Sequence, residues 1–160
     1  TKAILSFQRH AENALSIEKA EENFRRALTE IAAMAEEKGI TLYLQNSRSL
    51  KEHTSFSTFK EARETAQQLG FKSALNVAHS LALGENLETA APDGILLNAP
   101  MKDVFGQMTD AHLPIYQSEY KDELKKWAFR SADFICLDSV YESWNQTAMD
   151  LEVLLEAGHQ

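Results

Sequence analysis

Apolar runs of strand length alternate with helical stretches along the whole chain, and this alternation limits its folding more than any other feature. The helix read over residues 13–38 sets the pattern. Ile17, Ala20, Phe24, Ala27, Leu28, Ile31, Met34 and Ala35 recur at the three-and-four spacing of one buried face. Glu18, Glu21, Glu22, Arg25, Arg26, Glu36 and Lys38 take the other face. Gly39 stops the helix, and the β-branched and aromatic run ITLYLQNS follows at once. The same reading predicts helices near 57–69, 80–90, 118–130 and 142–156. It puts strands in TKAILSF, FKSALNV, GILLNAP and FICLD, and an irregular stretch over about 100–116.

Strands that alternate with helices call for right-handed βαβ crossovers and a parallel sheet. These strands are apolar nearly throughout, as strands covered on both faces are. The expected class is α/β, with parallel β/α units and about five strands, each followed by a helix. Two architectures accommodate such units. One is an open doubly wound sheet. The other is part of a (β/α)8 TIM barrel, which needs about 250 residues where this chain has 160. No linker or low-complexity segment divides the chain, so residues 1–160 read as a single α/β domain.

The formal net charge is −8, and Lys and Arg are scattered among acids along the helices. Phosphate neutralisation drives nucleic-acid binding, so that class of partner is excluded. No apolar run approaches the roughly 20 residues of a membrane span. The single cysteine, Cys136, excludes an internal disulfide, and its place in FICLD predicts a small buried hydrophobe. The chain starts with Thr1 rather than Met and is read as the later portion of a longer protein, so its compartment is not legible.

Ligands of parallel α/β folds bind at the carboxyl ends of the strands. The first strand ends in Gln8, Arg9 and His10, the second in Gln45 and Asn46, and the third in Asn76 with His79 close by. The fourth offers Asn98 and the fifth Asp138, while the stretch between them adds Asp110 and His112. Leu113 and Ile115 are expected to anchor that stretch to the core. Trp127 and Trp144 fall at helical spacing and are expected in packing, and His53 and His159 in solvent.

The order of elements is EKAEENFRRALTEIAAMAEEKGITLYLQN, then LNVAHS, ILLNAP, TDAHLPI and the last strand. This order resembles the carboxyl-terminal part of the xylose-isomerase-like barrels. That family includes sugar-phosphate isomerases and epimerases and a metal-dependent endonuclease branch, which the acidic charge disfavours. The resemblance covers essentially the whole chain and implies the later portion of a (β/α)8 barrel. In the family, the strand after the long helix ends in a metal-binding glutamate and the next carries Asp-x-x-His. The following strand ends in a histidine, some branches add Asp-x-His, and the last strand delivers a second glutamate.

Carried over, the resemblance puts Gln45 at the first glutamate, Asn76 at the aspartate, His79 at its histidine and Asn98 at the next histidine. Asp110 and His112 keep the Asp-x-His spacing, and Asp138 stands near the second glutamate with a shorter side chain. The implied site binds substrate through Gln45, Asn76, His79, Asn98 and His10, with Asp110, His112 and Asp138 left as metal ligands. Amides keep an oxygen but lose the charge that balances a divalent ion, and they have no pKa suited to a general base. A divalent metal is therefore disfavoured as cofactor. The implied function is a sugar isomerase/epimerase-like barrel of carbohydrate metabolism with a degenerate metal site, holding a carbohydrate or sugar phosphate. The alternative is a catalytically silent structural or carbohydrate-binding module of a larger protein. Five barrel strands leave two open edges, so the remaining strands are expected from the same chain or another subunit.

Overall fold

The computed structural model describes residues 1–7, 16–47 and 54–156, except the side chain of Asp110. His10, His53 and His159 lie outside the described residues. The chain groups into two compact units, Thr1–Leu75 and Asn76–Gln160.

The first unit carries strand β1 (Lys2–Leu5), helix α1 (Ile17–Glu37), strand β2 (Thr41–Gln45) and helix α2 (Phe59–Gln68). It ends in strand β3 (Lys72–Asn76), whose last residue opens the second unit. Ser16 caps α1 by accepting from the Lys19 N–H. Thr58 and Glu61 form a capping box on α2. Both helices stop before a glycine with positive φ, Gly39 (φ 63) and Gly70 (φ 72), a backbone shape that costs other residues about 1 kcal/mol. The core gathers Phe7, Leu28, Leu44, Phe56 and Ala66. Phe7, Phe24 and Phe56 meet with ring centroids 5.1–5.3 Å apart. Leu28 and Ala35 of the expected α1 face are buried, but Ile31 and Met34 are exposed.

The second unit continues with helix α3 (Val77–Ala82) and strands β4 (Gly94–Leu97), β5 (Ala99–Lys102) and β6 (Met108–Leu113). A 3-10 turn (Ile115–Gln117), helix α4 (Lys121–Lys125), strand β7 (Phe134–Leu137) and helix α5 (Trp144–Glu156) complete it. The stretch expected to be irregular is an antiparallel β5–β6 hairpin. Asp103 builds its turn, since its carboxylate accepts from the N–H groups of Phe105 (2.8 Å) and Gln107 (2.9 Å) and Gly106 takes φ 79.

Two expected helices are shorter than their patterns. α3 has six residues because the chain turns at Gly84 (φ 69). α4 gives way to i→i−3 bonds, Lys126 N–H to Glu123 O and Trp127 N–H to Leu124 O.

The pairs β1–β2, β2–β3 and β4–β7 are parallel. The sheet order is β1-β2-β3-β4-β7. A doubly wound sheet reverses its strand order at a switch point. Here the strands follow in sequence without reversal, as in a barrel, so the α/β class and the partial TIM barrel stand. The middle strands β2, β3 and β4 are largely buried. The end strands are only half covered, β1 alternating and β7 exposing Ile135 and Cys136. The expectation of a buried Cys136 is thus corrected, because β7 has a strand neighbour on one side only. Trp127 is buried as expected, whereas Trp144 is 88% exposed at the first turn of α5. No described helix is long and apolar enough to cross a membrane.

Candidate functional site

Four strand-end side chains of the second unit converge. Asn76 ends β3 and also caps α3, its Oδ1 accepting from the His79 N–H at 3.2 Å. Its Nδ2 donates to Asp138 Oδ2 at 3.2 Å. Asn98, just beyond β4, places its Nδ2 at 3.2 Å from the same carboxylate oxygen. Asp138 follows β7, and its N–H extends the ladder to Leu97 O at 2.7 Å. Both amides are wholly buried, while the Asp138 carboxylate is about one-third exposed.

His112 enters from β6. Its Nδ1 lies 2.7 Å from the Asp138 backbone carbonyl and 3.5 Å from Asp138 Oδ2. The His79 and His112 rings stand edge to face with centroids 6.0 Å apart. His112 has φ 47, the one left-handed conformation among the described non-glycine residues.

The proton count at this cluster does not close by itself. A carbonyl only accepts, so the 2.7 Å contact calls for a proton on His112 Nδ1. Asn98 Nδ2, another donor, sits 2.8 Å from that nitrogen. Asn98 Oδ1 is buried and has no hydrogen-bond partner. Turning the amide would satisfy the imidazole but set two oxygens 3.2 Å apart at Asp138. Either way one polar contact stays mismatched, which costs about 1–3 kcal/mol when buried.

A belt of hydrogen bonds that the spacing did not announce surrounds His112. Val140 N–H donates to His112 O and Ser139 Oγ to Leu113 O, both at 2.8 Å. Buried Asp150 accepts from the N–H groups of Ile115 (2.9 Å) and Tyr116 (2.8 Å) and from the Tyr141 hydroxyl (2.7 Å). Burial, then the bond to Asp150, pushes the Tyr141 hydroxyl well above its ordinary range. Partial burial and the charge of Asp138 push the Cys136 thiol upward.

Of the strand-end residues read from sequence, Asn76, His79, Asn98, His112 and Asp138 fall in one cluster. Gln45 ends β2 in the first unit, its Oε1 buried and without a hydrogen-bond partner. His10 and the Asp110 side chain lie outside the description. Ser139, Tyr141 and Asp150 were missed, since only contacts across 9 to 35 residues give them a role.

No protein-family model and no curated protein matches the chain. Solved structures do. The IolI protein, crystallised with a bound zinc atom, matches with TM-score 0.69 and 16% identity over 98% of this chain and 62% of its own. The 3-keto-D-glucoside 4-epimerase YcjR from E. coli matches with TM-score 0.60 and 11% identity, over 99% of this chain and 63% of that one. A xylose isomerase domain-containing protein from Salmonella typhimurium LT2 matches with TM-score 0.58 and 14% identity, over 95% and 62%. The chain thus spans less than two-thirds of the length of these relatives. Its parallel strands, taken in order with helices between, give it the fold of a partial TIM barrel, similar to these structures.

Proposed function

We propose that this cluster binds a carbohydrate by hydrogen bonding, without the metal-dependent proton transfer of the family it resembles. The observation that carries this reading is the convergence of two neutral amides, Asn76 and Asn98, on one oxygen of Asp138. The two N–H donors take lone pairs of Asp138 Oδ2 where a cation would sit. Among the described residues, Asp138 is the carboxylate that Asn76, Asn98 and His112 approach. The described residues contain no group of three or more His, Cys, Asp or Glu able to hold an ion. Such donors do not fit a divalent-metal cage. They do fit hydroxyl groups, which donate and accept in turn.

A second reading, a catalytically silent module of a larger protein, is favoured by exposed apolar residues on the last strand and the last helix. Ile135 on β7 and Trp144, Met149, Leu151 and Leu155 on α5 face solvent, as expected of a surface that further barrel strands cover. Those strands would come from the same chain or another subunit.

Side-chain amide NMR with D-glucose, D-xylose and D-glucose 6-phosphate, in the presence of EDTA, separates the two. Saturable shifts of the Asn76 and Asn98 NH2 signals are expected with at least one sugar. Unmoved signals with all three would leave the silent module standing.

A further inference from the structure

We propose that Asp150 is a positioning residue for this site: it anchors the two backbone segments that hold His112 left-handed, and so fixes the imidazole with its proton on Nδ1. Its functional weight rests on the binding role given to the cluster above; the tautomer itself does not.

A left-handed histidine costs about 1 kcal/mol or more and persists where its surroundings over-determine it. The surroundings here are two segments. On one side, Leu113 to Tyr116 continue from His112, and the Ile115 and Tyr116 N–H groups end on Asp150 Oδ2 and Oδ1. On the other, residues 138–141 follow β7. Val140 N–H holds the carbonyl of His112 itself, Ser139 Oγ holds Leu113 O, and the Tyr141 hydroxyl ends on Asp150 Oδ2. Both segments therefore close on one carboxylate that is 0% exposed. Each oxygen of Asp150 takes a different backbone N–H, and this two-point grip fixes direction as well as distance.

The grip matters because of where it leaves the ring. Asp138 is pinned through its own N–H to Leu97 O, so the carbonyl that meets His112 Nδ1 belongs to the sheet. With the backbone of residue 112 held, Nδ1 is committed to that carbonyl at 2.7 Å. That carbonyl only accepts and so calls for the proton on Nδ1 and the lone pair on Nε2, although Asn98 Nδ2 lies 2.8 Å from the same nitrogen. The isolated neutral ring prefers the opposite arrangement, so the tautomer reads out the grip.

Long-range proton–nitrogen NMR of the histidine rings under alkaline conditions tests this. In the wild-type protein His112 is expected to be protonated on Nδ1. Asp150→Asn should move it toward the Nε2-protonated form and leave the His79 pattern unchanged. Tyr141→Phe removes one of the three bonds and should give a smaller shift in the same direction, and it decides the matter if Asp150→Asn does not fold. A wild-type His112 protonated on Nε2, or an unchanged tautomer in folded Tyr141→Phe, overturns the proposal. A wild-type Nδ1 proton that moves in the variants, beside a failed sugar titration, would sink the binding reading alone.

Discussion

Asn76 shows how one residue serves fold and site together. Its oxygen caps α3 and its nitrogen holds Asp138. An aspartate would cap as well, but it would bring a second carboxylate within about 3.2 Å of the first, a pairing that needs a cation or a shared proton. Asn76→Asp is therefore expected to lose about 1–3 kcal/mol in EDTA, measured by urea unfolding, and to recover part of it when Mn2+ is added. Tyr141 makes a second prediction. Its folded pKa is raised above the ordinary 10.0, so its contribution is complete below that pH and is lost as pH climbs through the folded value. Unfolding midpoints followed above pH 10.0 should fall more steeply for wild type than for Tyr141→Phe. Asn76, Asn98, His112 and Asp138 were legible because strand ends announce themselves by an apolar run breaking into polar residues. Asp150 sits inside a helix at an ordinary spacing, and nothing local marks it as the partner of two N–H groups 34 and 35 residues away.

At the level of elements, the strands were legible and two of the helices were overextended. β2 and β4 fold where their apolar runs lie, and β3 forms around the buried pair Ala74 and Leu75. The 80–90 stretch reads as helical from its apolar residues, but Gly84 stops it early. The β5–β6 hairpin escaped because MTDAHL alternates weakly. Its real signal is Asp103 followed three residues later by Gly106. The β4–β7 pair makes its own demand. Gly94 faces Phe134 across the register, and a Cβ there would lie 2.4 Å from the Phe134 ring. Gly94→Ala should cost about 1–3 kcal/mol by overpacking, and the added Phe134→Leu should return part of it. Equal midpoints for wild type and Gly94→Ala would show that the ring swings aside without cost.

For the whole molecule, strand order decided what length could not. A chain of 160 residues suits an open sheet, but five strands in sequence without reversal have the order of a barrel, and the chain matches 62–63% of the length of three longer solved structures. In the reading proposed here, what separates this chain from the family it resembles is chemical and sits at the strand ends, where amides stand at positions that the resemblance gives to charged ligands. Calorimetric titration with Mn2+ and Zn2+ reads that replacement directly, comparing wild type with Asn76→Asp/Asn98→His. Wild type is expected to bind weakly and the variant at least about tenfold more tightly, as restored ligands and their partners commonly allow. Stoichiometric binding by wild type as tight as by the variant would contradict the account.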